Sequence, residues 1–412
     1  MTIGTRMMNR SAPAIVGALV ALGLWVTMPL RAQTDDGAQR IATTLAPLVE
    51  RAVGLPFKHP PRIVVRNRDQ VRAYLDRKIA AELPPAEMMA VQRAYRAFRL
   101  VPDSVDLRKL MVDLYAEQVA GFYDPDSSAL FVVRGADPTM LRVVLAHELV
   151  HALQDQYTRL NLILMLRRQN DRQMAGQAVM EGQAMVGSFS ALAPDRPVNF
   201  TQARELIRQG QASMPVFQGA PHLIQESLLF PYLAGAEFIQ SFNAQRRGRW
   251  EQPFGARLPV SSEQILHADK YAAHERPMRI AIATDRADTV IYADDFGEAE
   301  TRAALESWGT SDTNAASAAA GWNGDRYAVL GTKGGTAIVW AVAWDTPEDA
   351  REFERALRRA WADAAQKAGP DAARRRWRIE MLDISGIKVV RMVDAPTAWP
   401  GWARLPAVSV RR

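Results

Sequence analysis

Apolar residues recur at three- and four-residue spacing through the first two thirds of the chain, which predicts helices near residues 37–53, 69–82, 86–98, 105–119 and 222–246. A short alternating run predicts a strand at 62–66. The β-rich run from Ser127 to Val133 predicts another, after a turn at Tyr123-Asp124-Pro125. Near residue 277 the period changes. Strands are then expected at Met278–Ala283, Tyr327–Leu330, Ala337–Trp344, Arg376–Met381 and Ile387–Met392, with helices near 298–308 and 347–368 among them. The latter helix has marked ends, with Thr346 as N-cap, Pro347 at the first position, Asp349 at N3 and a stop at Gly369-Pro370. The small-residue run Ser311 to Ala320 is expected to be a loop. No internal repeat is visible. The pattern predicts an α+β chain: a mostly helical domain with a short sheet over 33–275, then a smaller α+β domain over 276–412 with helices on one face of its sheet.

One further helix is not amphipathic. After Asp137, a candidate cap, and Pro138, the residues Met140, Leu141, Val143, Val144, Leu145, Ala146, Leu149, Val150 and Leu153 are apolar nearly all the way round, as in a core helix. Set into it are His147, Glu148 and His151. Two histidines four apart project from one face, close enough for both imidazoles to bind one ion. Zinc in a hydrolytic site takes three protein ligands and leaves the fourth position to a water, whose pKa it lowers toward neutrality. A carboxylate beside that water can take its proton and later pass it to a leaving amine, and Glu148 stands in that place. The motif is short and arises by accident in many proteins. Burial gives it weight, because three polar groups on an apolar helix are costly unless a cation pairs with them. The alternative is a pair of hydrogen-bonded core histidines with Glu148 at the surface.

A third ligand has to come from elsewhere. The sequence Ala152-Leu153-Gln154-Asp155-Gln156 lacks the glycine and histidine of the metzincin pattern, and His59, His222, His267 and His274 have no helical spacing to one another. Glu181 is the stronger candidate. It is a single acid among small residues, from Ala175 to Ala184, which would let a second helix approach the first. A solvated Glu181 is the alternative. Asp155, one turn beyond His151, is a weaker rival and better suited to holding a histidine tautomer from outside the ligand set.

These residues resemble the gluzincin metallopeptidases. More narrowly, Gly121-Phe122-Tyr123-Asp124-Pro125, the run Leu145 to Gln156, and Glu181-Gly182-Gln183-Ala184 are similar to a family of uncharacterised secreted bacterial proteins assigned as metallopeptidases. The likeness is specific over residues 121–184, looser through Phe230-Pro231-Tyr232 and Ser262 to His267, and weak elsewhere. It implies a gluzincin-like fold in which zinc (Zn2+) is held by His147, His151 and Glu181 with Glu148 as base. It also implies that the strand before the histidine helix is a sheet edge along which a peptide lies, and that Tyr232 or His267 donates to the oxyanion. An ordinary core strand and a core aromatic are the alternatives for these last two.

Composition then sets the compartment. The chain has no cysteine, which excludes a lipoprotein and a disulfide-stapled domain. Residues 1–32 carry Arg6 and Arg10, an uncharged apolar stretch from Ala12 to Leu30, and Arg31-Ala32: a secretory signal with a small-residue cleavage site near Ala32. An uncleaved anchor is the alternative, since roughly eighteen apolar residues can span a bilayer. Either way the rest is exported, secreted or periplasmic, and a membrane is a partner only if the segment stays uncleaved. The leader holds three arginines and no acid, so the mature part carries three fewer charges than the +6 of the whole chain, which does not argue for nucleic acid. Arg374-Arg375-Arg376 is expected to be a solvated edge that guards against aggregation. The function expected is a secreted zinc metallopeptidase acting on a peptide or protein. The alternatives are a non-catalytic envelope protein with a partner-binding C-terminal domain and a structural zinc site, which would need a fourth protein ligand, and a zinc hydrolase of a non-peptide amide.

Overall fold

The computed structural model describes residues 35–412 apart from 136–137, 196–199, 246–247, 249–250, 286 and 368. The leader expected over 1–32 and the cap expected at Asp137 lie outside the described residues. The amphipathic runs form α1 (Asp35–Val53), α2 (Arg68–Glu82), α3 (Pro85–Ala97) and α4 (Leu107–Gln118), with β1 (Arg62–Arg66) between the first two. Side chains fix their starts. Asn67 and Gln70 form a reciprocal capping box on α2, and Asp106 accepts from the Lys109 N–H on α4.

A small sheet follows. β2 (Gly121–Asp124) and β3 (Ala129–Val133) pair antiparallel, β1 pairs parallel with β3, and the order is β1-β3-β2. Two expectations change here. Tyr123 and Asp124 lie in a strand, so the turn comes after them and includes Ser128 at φ 49°. β3 has a partner on each side, so it is the central strand and cannot be a free edge; the edges are β1 and β2.

The next helices are α5 (Pro138–Thr158), α6 (Asn161–Leu164), α7 (Asn170–Leu192), α8 (Phe200–Ala212), α9 (Pro215–Gln218), α10 (His222–Gln245), α11 (Ser262–Leu266) and α12 (Ala268–Ala272). Then come β4 (Arg279–Ile282), β5 (Thr289–Asp294), α13 (Gly297–Ser307), α14 (Asp312–Ala319), β6 (Trp322–Thr332), β7 (Gly335–Trp344), α15 (Pro347–Gln366), β8 (Arg375–Ile384), β9 (Ile387–Pro396) and β10 (Val408–Arg411). The chain is α+β. The loop expected over 311–320 is the helix α14: its small residues are mostly alanine, the best helix former, and Ala315, Ala318 and Ala319 are buried.

β5 to β9 form an antiparallel sheet of order β5-β6-β7-β9-β8. Alternation along β7 sends Trp340, Val342 and Trp344 to the face covered by Phe353, Leu357 and Trp361 of α15. Ala341 and Ala343 face the other side, where the β4/β10 ribbon packs through Ile280, Val408 and Val410. The boundary expected at residue 275 falls between α12 and β4, but the apolar core does not stop there. One cluster runs from Val71 of α2 through Tyr232 of α10 to Met392 of β9. At the junction Phe98 meets Phe296, Tyr327 and Trp340 edge-on, and the Trp308 indole donates to the Phe98 carbonyl. Among the described residues no helix is long and apolar enough to cross a membrane.

Candidate metal centre

α5 carries His147 and His151 onto the flank of α7, which carries Glu181. His147 Nε2 and His151 Nε2 are 3.2 Å apart, and each is close to Glu181 Oε2, at 3.2 and 3.3 Å. These three atoms form a nearly equilateral triangle. A tetrahedral ion with bonds of about 2.0–2.1 Å has ligand-to-ligand edges of about 3.3–3.4 Å. An octahedral ion with the same bonds has edges of about 2.9 Å. Separations of this size suit ligand atoms around one ion, and the buried group His147, His151 and Glu181 could hold a metal ion.

The electrostatics ask for a cation. Burial opposes ionisation of Glu181, yet the two histidines hold its carboxyl well below the usual range. Burial likewise opposes charge on His151, and the Glu181 carboxylate overrides it and raises the imidazole pKa. Without a metal, a proton takes the cation's place. Glu148 is also buried and accepts from the Tyr123 N–H of the edge strand at 2.8 Å. Burial raises its pKa, against the histidines and that N–H, which favour the carboxylate.

A chain of amides fixes the imidazole. Gln252 Nε2 donates to the Val53 carbonyl, Gln183 Nε2 to Gln252 Oε1, and Gln154 Nε2 to both Gln183 Oε1 and the Met180 carbonyl. Backbone carbonyls only accept, so the direction of the whole chain is set, and Gln154 Oε1 must face His151 Nδ1 at 2.9 Å as an acceptor. That places a ring proton on Nδ1 and makes Nε2, which faces Glu181 and His147, the nitrogen that would carry the lone pair to a bound ion. Asp155, expected to hold a histidine, is used differently: it accepts from the Tyr123 hydroxyl and the Leu160 N–H. Both side chains follow His151 by about one turn, so spacing alone could not choose between them. The signal for Gln154 was an amide within an otherwise apolar helix.

Tyr232 lies at the centre. Its ring stacks near His147, centroids 6.2 Å apart, and its hydroxyl is bonded to Glu181; burial, then the charges of Glu181 and Glu148, raise its pKa. α10 reaches this position because glycines let it touch α7. A Cβ on Gly235 would stand 2.0 Å from the Ala178 carbonyl oxygen, and one on Gly182 would stand 2.2 Å from the Gly235 carbonyl. The small residues around Glu181 thus admit α10 as well as α5, since Gly187 faces Val150. His267, the other donor expected, is occupied by Glu298 at 2.8 Å and belongs to the contact with α13. A second acidic group, Glu263, Glu275 and Asp345, already surrounds the Lys270 ammonium.

Comparison with known proteins adds little to this geometry. Residues 288–399 match a family model described as a domain of unknown function (DUF8575). No curated protein matches the chain. A crystal structure of a proposed hydrolase with a novel fold from Chloroflexus aurantiacus is similar at 18% identity over 58% of this chain and 89% of that one, with a TM-score of 0.40. Likeness at that level carries no inference about activity.

Proposed function

We propose that the protein is an exported zinc-dependent hydrolase of the gluzincin type that cleaves peptide bonds, with residues 1–32 as its export leader. The observation that carries this proposal is the 3.2–3.3 Å triangle of His147, His151 and Glu181 with the Glu148 carboxylate beside it. A divalent ion held there would lower the pKa of a water and polarise a substrate carbonyl. The chain's own groups do the rest. Glu148, held by the Tyr123 N–H, takes the proton of the attacking water and returns it to the leaving amine. Tyr232 turns its hydroxyl from Glu181 toward the developing oxyanion.

The test is Glu148→Gln in the full chain. The variant is expected to retain one zinc per chain while hydrolysis of a peptide library disappears; turnover equal to the parent's would refute the assignment. One observation favours a second function, a structural zinc in a non-catalytic protein: His147, Glu148, His151, Glu181 and Tyr232 are only 3–6% exposed. If that holds, chelation unfolds the protein and no peptide or non-peptide amide is cleaved.

A further inference from the structure

Between the helical part and the five-stranded sheet lies a cavity of about 550 Å³, within the size range of ligand sites. Five arginines line it: Arg168 and Arg172 at the start of α7, Arg276 and Arg279 around the start of β4, and Arg326 on β6. Three acids line it as well, and each is answered by the protein. Asp171 accepts from the Ser262 N–H and hydroxyl, and Asp295 from the Asp171 N–H. Asp325 accepts from the Phe296 and Gly297 N–H groups and from the indoles of Trp322 and Trp340. A β-bulge between Trp322 and Asp325 turns that carboxylate inward, and Gly324 inside it sits at φ +118° against the Met278 backbone.

The arginines are not answered in the same measure. Arg168 and Arg326 share the Ala293 carbonyl, Arg326 also donates to the Arg168 carbonyl and pairs with Asp294 and Asp295 at 4.0 and 3.8 Å, and Arg168 pairs with Glu87. Arg172 makes one hydrogen bond, to Gln169. The side chains of Arg276 and Arg279, both exposed at the mouth of the cavity, make no hydrogen bond or ion pair among the described residues. Each guanidinium offers five donors in a planar fork that matches carboxylate or phosphate. Met278 and Ile280 supply an apolar wall beside them.

We propose that this cavity binds a small ligand carrying two or more carboxylate or phosphate groups, held by Arg172, Arg276 and Arg279 across the junction of the two parts of the chain. Such a ligand ties α7 to β4 and stabilises the folded protein by an amount that grows with the logarithm of its concentration over Kd. From Asp171 to Glu181 the helix advances about 15 Å, so the site is separate from the metal centre and its occupancy can be measured without hydrolysis.

The test is calorimetric titration of the full, zinc-loaded chain with tricarballylate and, separately, with pyrophosphate and a glycerol bisphosphate. One of these probes is expected to bind with unit stoichiometry, and the one that binds distinguishes a carboxylate from a phosphate ligand. The double variant Arg276→Ala/Arg279→Ala is expected to weaken it by about tenfold or more, through loss of charge-assisted contacts. If that variant does not fold, Arg172→Ala on α7 gives the same readout. The proposal is overturned if no probe binds at millimolar concentration, or if the folded variants bind as tightly as the parent.

Discussion

At Glu181, α7 presents a carboxylate to two imidazoles in a closed setting, with His151 Nδ1 and the amides behind it all paired. At Asp171, ten residues earlier, the same helix borders an open cavity whose arginines keep donors to spare. The first site comes from two helices, and its three ligand-type atoms lie close enough together to hold a cation. The second comes from five separated segments and would select charge and size more than a fixed geometry. One helix can thus carry a precise centre and an adaptable one, provided that its own N-terminus is satisfied. Here Asp294 and Asp295 do that by accepting the Asn170 and Asp171 N–H groups.

The comparison can be broken most strongly at the metal ligands. His151→Ala is expected to abolish zinc binding, measured as metal per chain after dialysis, while the affinity of the arginine cavity stays unchanged. Loss of both would show that the two centres are one unit. Gln154→Leu should weaken zinc binding by about 10–100-fold in a competitive chelator titration, the usual effect of removing a partner that orients a ligating histidine. Unchanged affinity would mean that the amide chain does not hold the ring. Gly235→Ala forces a methyl into the Ala178 carbonyl and should cost about 1–3 kcal/mol in urea unfolding. It should also lower turnover more than zinc content, since it moves Tyr232 before it moves a ligand.

The smallest effect belongs to the junction. Burial, the leading cause, pushes Asp171 up to about 7 and Glu300 up to about 8. A folded state that holds protons more tightly than the unfolded chain loses stability as pH rises, here from the ordinary carboxylate range near 4 up to about 8. The Tm of the metal-free protein should therefore be highest near pH 5 and fall by a few degrees toward pH 8. Glu300→Gln should flatten the slope, and a Tm that rises over this range contradicts the assignment.

The helices and the longer strands were legible in the chain because their apolar period is local. So were the members of the buried group that could hold a metal: His147 and His151 share a helix face, and Glu181 is a lone acid among small residues. What was not legible depends on partners distant in sequence. β3 could not be recognised as a central strand without β1, and Asp155 could not be told from Gln154 until Gln183 and Gln252 were seen to orient the amide. The alanine-rich α14 was hidden by small residues that suit both a loop and a closely packed helix. The arginine cavity had no signature at all. Its residues come from α7, β4, β5 and β6 and the turns beside them, and the bulge that turns Asp325 inward exists only once β6 and β7 have paired.

The central claim is that a tetrahedral zinc sits on His147, His151 and Glu181. X-ray absorption at the zinc edge of the loaded full chain tests it most directly. The account predicts two imidazole nitrogens at about 2.0–2.1 Å and carboxylate or solvent oxygen completing four ligands. Six oxygen ligands, or a spectrum that is the same in Glu181→Gln, would contradict it.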